Sequence, residues 1–349
     1  MEQGIVTEAK DDQDNPKQKK FLFWRMSKRR RIIYIVVSIM LLLVIILLIV
    51  IFVGGKAYAQ KYANKVEISV NSVDLKYIEP NVDTKSIDVE ISLHLKHNGP
   101  MDARMESAHA RLEYGGKTFG RVKIPEMHLT SGKQEYDLIV RDNAEVSDLA
   151  VLSNLGKDLV NEKEITVSAF AKVTVHSFGL TYSGINVNRK LKITALGKFE
   201  DPAPRIDVIK LNECTPDTYS ILFNATVDNV SKFGLDGIGL LNLTLYYDHS
   251  FLGYAMSTHP ERGVPRGNST IEFSLSVPNT PAMKPTMLAM GLGIASGKAQ
   301  FYITGENPYA TQVNMLKEAV QTINMSILYT DGLNKVAFGP TCDLTKVIS

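Results

Sequence analysis

Residues Ser86–His97 read SIDVEISLHLKH, and Ile87, Val89, Ile91, Leu93 and Leu95 alternate there with Asp88, Glu90, Ser92, His94 and Lys96. Strict alternation is the pattern of a strand with one face buried and the other wet, because side chains along a strand point to opposite faces in turn. The same period recurs in Ile165–Val175, Tyr219–Val227, Leu241–Tyr247 and Ile271–Val277. Antiparallel sheets over a shared core are the expected outcome.

The strand pattern comes twice. The run from Ser86 to Val140 can be laid beside Thr218–Val277, so that Asn98 meets Asn229, Gly120 meets Gly253 and Gly132 meets Gly267, at offsets of 131, 133 and 135 residues. Such drift is what small loop insertions produce in a repeat. Each copy then has a helix candidate at the same place. In the first, Val146, Leu149, Leu152, Leu155 and Leu159 recur at spacings of three or four behind the capping candidates Asp142 and Asn143. In the second, MKPTMLAMGLGIASGK places Pro285 near a helix start. The copies meet at KFEDPAPRID, where Pro202 and Pro204 interrupt regular structure.

Ahead of both copies lies an apolar run of 22 residues, Ile32–Val53, broken only by Tyr34 and Ser38. At 1.5 Å per residue it reaches ~33 Å, enough to cross a hydrocarbon core of ~30 Å. It is longer than the apolar region of a cleaved export signal and follows a tail of 31 residues, so an uncleaved anchor is expected. Eight Lys and Arg and no acidic residue stand between Lys17 and Arg31, against Lys56, Lys61 and Lys65 beyond the run. That asymmetry puts the amino end in the cytosol and the 296 residues after Val53 on the other side. The segment KQKKFLFWRMSKRRR serves either as a plain topology signal or as a contact with anionic lipid.

The compartment can be tested on the glycosylation triplet. It occurs at Asn224, Asn229, Asn242, Asn268 and Asn324, five times where composition after residue 200 gives about 1.6 by chance. Asn224 and Asn242 fall on the polar phase of their strands. Cys214 and Cys342 lie near the two ends of the second copy, and an oxidising compartment permits a bridge between them. The formal net charge of +2 is largely the tail's, so no basic surface is offered to nucleic acid.

Reactive groups do not converge. The seven His show no metal spacing, and His94 and His97 belong to opposite faces of one strand. GLGIASGK lacks both the leading Gly and the closing Ser or Thr of a phosphate loop. There is no Gly-x-Ser-x-Gly elbow. No catalytic, metal or cofactor site is expected, and the chain reads as a non-enzyme. Met283, Met287 and Met290, beside Gly291 and Gly293, give the second helix either an ordinary core face or an adaptable surface for lipid. All five triplets lie in the second copy, which leaves the first free to present a protein-binding face or to sit close to the bilayer.

HLKHNGP and TVDNVSKFG, each a strand ending near Asn, are followed by ARLEYGGKTFGRV or LTLYYDHSFLGYA, then a Gly-containing loop, a strand and a helix. In this the chain resembles the group 2 late-embryogenesis-abundant domain, the water-stress and hypersensitive-response type, in a tandem arrangement similar to fungal vacuolar-membrane lumenal proteins. The resemblance covers roughly residues 60 to 345. Where plant members often carry Asn-Pro, Gly99 here separates Asn98 from Pro100. The resemblance implies a β-sandwich of about seven strands with a helix across it, no known catalytic residues, and a role in holding or moving lipid. The vacuole or lysosome is then expected, with the cell surface as the alternative.

The expected fold is mainly β: two tandem antiparallel β-sandwich domains, each with one helix, behind a single transmembrane helix. The expected bounds are 1–31 for the cytosolic basic tail, 32–53 for the transmembrane helix, 57–200 for the first lumenal domain and 201–349 for the second. Lipid binding or transfer at the vacuolar membrane is the leading expectation, with membrane lipid as partner. A structural or adhesive ectodomain, with a protein partner on the first domain, is the other.

Overall fold

A computed structural model describes residues 28–80 and 85–342. The basic tail before Lys28, residues 81–84 and residues 343–349 lie outside the described residues. The chain divides into two units, 1–55 and 56–349. In the first, α1 (Lys28–Ile49) is followed by a π-helical turn, Val50–Gly54. A helical stretch beginning at Ile35 is long and apolar enough to cross a bilayer, and the side chains from Ile35 to Val53 are exposed. A short helix, α2 (Gly55–Lys65), opens the β region.

The first sandwich contains β1 (Glu67–Tyr77), β2 (Ser86–Gly99), β3 (Ala103–Met105), β4 (Ala108–Tyr114), β5 (Lys117–Ile124), β6 (Met127–Leu129) and β7 (Gly132–Val146). Helix α3 (Leu149–Asn161), β8 (Glu164–Ser177) and β9 (Leu180–Thr194) complete it. The second contains β10 (Arg205–Cys214), β11 (Thr218–Asn229), β12 (Phe233–Leu235), β13 (Asn242–Tyr247), β14 (Ser250–Ser257) and β15 (Gly267–Pro278). Then follow α4 (Lys284–Ala295), β16 (Ala299–Thr304), α5 (Lys317–Gln321), β17 (Asn324–Tyr329) and β18 (Val336–Phe338). The fold is mainly β, in tandem, as the alternation predicts.

Strand order proves the repeat. The first domain runs β1-β2-β7-β5-β4-β8-β9 and the second β10-β11-β15-β14-β13-β16-β17, with α3 and α4 at the same place. In the second domain β10 pairs with both β11 and β17, so that sheet closes on itself. Gly120 and Gly253 are true equivalents. Each sits at a β-bulge, opposite Leu112 and Leu245 respectively, which turns Phe119 or Leu252 into the core. A Cβ at Gly120 would collide with the Glu145 carbonyl, and one at Gly253 would stand 2.7 Å from the Ser276 carbonyl.

The other two correspondences do not hold. From the bulge, Ala144 corresponds to Leu275, and their partners Ile87 and Ile221 correspond in turn. Counting on from Ile87, Gly99 ends β2 after 12 residues, whereas Asn229 ends β11 eight after Ile221. The β2–β7 hairpin is therefore four residues longer, and Asn98 and Gly132 have no partner at Asn229 and Gly267. Both glycines mark strand starts at positive φ, a property of turn chemistry that carries no register.

The start of α3 also differs from expectation. Asp142 and Asn143 belong to β7, paired with Val89 and Asp88, and the cap is Asp148, whose Oδ1 accepts from the Val151 N–H at 3.1 Å. A polar pair in front of an apolar period looks like a cap until the ladder claims it. Pro285 stands in the first turn of α4, as its sequence suggests.

Candidate functional site

The domains share a seam. Strand β12 of the second adds in parallel to β1 of the first, Val73 opposite Phe233 and Leu75 opposite Leu235. The Lys232 Nζ donates to the Val70 carbonyl at 2.7 Å and the Gly237 N–H to the Leu75 carbonyl at 2.9 Å. Asp74, buried at 4% exposure, accepts two bonds from Arg266, at 2.7 and 3.0 Å, and that pairing raises the guanidinium above its ordinary pKa. Beside it the Lys76 Nζ meets Asp236 at 2.5 Å, which raises the lysine likewise. Asn161 of α3 donates to Thr322 at 2.9 Å.

Behind this seam lies a cavity of about 120 Å³, in the first domain. Val70, Val89, Ala144, Leu152 and Ile165 line it from within. Phe233, Met315 and Leu316 of the second domain close it. Its origin can be read from the repeat. Val89 stands where the second domain has Phe223, and Ala144 where it has Leu275. Phe223 stacks on Phe273 with centroids 5.3 Å apart; the space beside Phe223 and Leu275 under α4 falls to about 20 Å³, and a second space of about 60 Å³ lies on the other side of Phe273.

The methionines of α4 do not make a groove. Met287 and Met290 are buried at 1% and 5%, and Met283 is half-buried against the same core. The roomy interior is under α3, at smaller side chains that carry no compositional signal.

A second feature is an aromatic face on the outside of β14-β13-β16. Phe251, Tyr254 and Met256 are 44%, 52% and 45% exposed. Phe251 packs against Tyr246 and Tyr254 at centroid distances of 5.9 and 5.3 Å, Tyr246 pairs across to Tyr302, and Tyr302 stacks on His249 at 5.6 Å. The bulge register gives the matching positions in the first domain: Thr118, Arg121 and Lys123 for Phe251, Tyr254 and Met256, and Glu113 for Tyr246. The same outer surface is charged in one copy and aromatic in the other.

The five triplets are not equal. Asn268 and Asn324 are exposed, and Asn224 and Asn242 half-buried, with the Asn242 Oδ1 shut away from solvent. Asn229 is buried at 3%. Its Nδ2, the atom a sugar would occupy, donates to the Phe233 and Val264 carbonyls, and its Oδ1 accepts from Ser231 at 2.6 Å. It is a structural residue of the turn into β12, and the expectation of a glycan there is corrected. Asn242 and Asn324 project from the same outer face as the aromatics, each one row from the Thr244–Thr304 pair or in it. Cys214 and Cys342 form a disulfide, Cα atoms 5.1 Å apart, beside the pairing of β18 with β10. Among the described residues no group of three His, Cys, Asp or Glu could hold a metal.

The class so defined is a tandem β-sandwich protein with one helix able to cross a membrane. Residues 117–245, which straddle the seam, match the model of a family described as protein of unknown function, DUF3712. No curated protein matches the chain. Among solved structures it is similar to the periplasmic chaperone SfaE, at 12% identity over 78% of this chain and 99% of that one, with a TM-score of 0.20. It is also similar to a protein of Arabidopsis thaliana solved in solution, at 19% identity over 37% and 80%, TM-score 0.24. A Salmonella enterica SafA pilin in complex with the SafB chaperone matches at 12% identity over 61% and 90%, TM-score 0.17. Likenesses this loose carry no inference about function.

Proposed function

We propose that this chain is a membrane-anchored, non-enzymatic ectodomain that binds a protein partner through the aromatic face of its second sandwich. The single observation behind this reading is the contrast within the repeat. One frame carries half-buried Thr118 and exposed Arg121 and Lys123 in the first copy and exposed Phe251, Tyr254 and Met256 in the second. Exposed Tyr, Phe and Met on a rigid sheet are the composition of interface hot spots, since they bury large area for little lost side-chain freedom. The partner surface thus falls on the second domain instead of the first. The amino end is taken as cytosolic and the β region as lumenal, in a vacuole or lysosome or at the cell surface. The basic flank, the exposed Asn268 and Asn324 and the disulfide support that side. The tandem layout is also consistent with the late-embryogenesis-abundant resemblance.

The test grafts the first face onto the second, Phe251→Thr with Tyr254→Arg and Met256→Lys. Cross-linking in intact membranes then loses its stoichiometric protein adduct while the disulfide and circular dichroism are unchanged. An adduct pattern indifferent to the graft, or no adduct in the unaltered chain, removes the reading.

A second reading, binding of lipid, is supported by the cavity under α3. At about 120 Å³ it is close to the ~150 Å³ apolar cavity that admits benzene. It accepts a short hydrocarbon segment, and a whole acyl chain only if Phe233, Met315 and Leu316 move aside. Mass spectrometry of extracts from the purified chain decides it: no retained lipid, and none taken from vesicles, ends this reading.

A further inference from the structure

Phe178 forms the tip of the β8–β9 hairpin. Ser177 pairs with Leu180, so the turn has two residues, Phe178 at φ 53 and Gly179 at φ 72. Such turns favour Asn or Gly at both places, and a bulky aromatic in the left-handed region is an outlier. Phe178 is also 79% exposed. An aromatic both strained and this exposed points to something outside its own domain.

The position of the tip says what that is. Helix α2 lies along β9 in the same chain direction. A Cβ on Gly184 would stand 3.5 Å from the Lys56 Nζ, Gln60 exchanges two bonds with the Asn186 backbone at 2.7 and 2.8 Å, and Arg189 donates to the Ala63 and Val66 carbonyls at 2.5 and 2.9 Å. Going back past Lys56, β9 continues through a bulge at Ser183 and Gly184 to Leu180, and the three steps of β8 from Thr174 to Ser177 carry the tip about 10 Å beyond that level. The seam lies at the other end of α2, where Lys232 bonds the last residue of β9, while β3 and β6 stand beside the tip. The last apolar residue of the membrane-crossing run, Val53, precedes Lys56 by three positions, which reach at most about 11 Å. Around the start of α2 stand exposed Lys56 and Lys61 and the paired Tyr58 and Tyr62, whose hydroxyls are 3.2 Å apart, the side chains that favour a bilayer interface. The hairpin is braced there: Ser177 donates to the Asp102 carbonyl at 2.7 Å, and His176 joins Thr181 at 2.9 Å and Glu106 at 2.6 Å.

We propose that the β8–β9 tip is a second membrane contact, with Phe178 inserted among the lipid headgroups so that the first sandwich is held at two points. This rests on the reading that Ile32–Val53 spans the bilayer. The native cysteines are bonded to each other, so one introduced cysteine can be spin-labelled alone in the full chain. Three variants, Phe178→Cys, Tyr309→Cys and Leu42→Cys, are reconstituted in phosphatidylcholine–phosphatidylserine vesicles. Tyr309 is 78% exposed and reports water, while Leu42 reports the anchor. The label at 178 should gain oxygen accessibility and lose accessibility to a water-soluble nickel complex, relative to 309. Equal accessibilities at 178 and 309, with 42 deep in the bilayer, overturn the tip contact alone. A label at 42 that reads as aqueous overturns the anchor and the tip contact together. Phe178→Asp, with the turn otherwise intact, should abolish slowed hydrogen exchange at 177–181 in vesicles. Protection that survives that change also overturns the inference.

Discussion

The two sandwiches share strand order, the bulge glycine and the place of the helix, yet they are finished differently. The second packs Phe223, Phe273 and Leu275 under α4, where about 20 Å³ remains, closes its sheet through β10 and ties its ends with the Cys214–Cys342 bond. The first carries Val89 and Ala144 at two of those core positions, keeps a cavity of about 120 Å³, and borrows β12, Phe233, Met315 and Leu316 from its neighbour. The two copies share the frame, which backbone pairing and the bulge specify. The core volume and the outer face differ between them, because neither enters the ladder.

Separating the copies should break this asymmetry most visibly. A fragment 201–349 is expected to fold alone with its disulfide formed. A fragment 56–200, stripped of β12 and the three lid residues, is expected to lack dispersed amide resonances and a cooperative thermal transition. Equal folding of both fragments would refute the dependence. Next in size is Cys342→Ser, which reopens a loop with a sequence separation of 128 residues. On the chain-entropy model it costs the second domain about 5 kcal/mol, read as a lowered urea midpoint.

A smaller pair of changes compares the cores directly. Leu275→Ala should cost about 3 kcal/mol, since it opens a void in a filled interior. Ala144→Leu, its counterpart, should be neutral or stabilise by up to about 1 kcal/mol, because it fills space already there. Chemical denaturation of the full chain measures both, and a loss at Ala144 like that at Leu275 would show the cavity to be tightly packed. The smallest effect distinguishes the triplets. Asn268→Gln and Asn324→Gln should each remove one glycan's worth of gel mobility, whereas Asn229→Gln should remove none.

How far these differences could be foreseen depends on the kind of signal. The strands at Ile87–Leu95, Ile165–Val175 and Tyr219–Val227 were legible because burial of one face imposes period two. Pro285 marked α4 for an equally local reason. The start of α3 was not legible. Asp142 and Asn143 have capping chemistry, but their hydrogen bonds run across to β2, a partner some fifty residues away. Asn229 illustrates the same limit at a site. The triplet is written in three consecutive residues, while its burial depends on the Phe233 and Val264 carbonyls. The cavity was hidden too, since Ala144 looks small only beside Leu275, and that comparison needs the register. The aromatic face appeared in the sequence as scattered Tyr and Phe. Cross-strand pairing gathers them.

The sequence by itself determined the apolar run, the two sets of alternating strands and the bonding capacity of Cys214 and Cys342. These follow from the chemistry of near neighbours along the chain. Only the tertiary structure decided which domain completes the other, where the interior is hollow, which asparagine is sealed, and that Phe178 stands at the end where α2 begins. Those outcomes depend on volume and distance between residues remote in the chain, quantities that no local pattern contains.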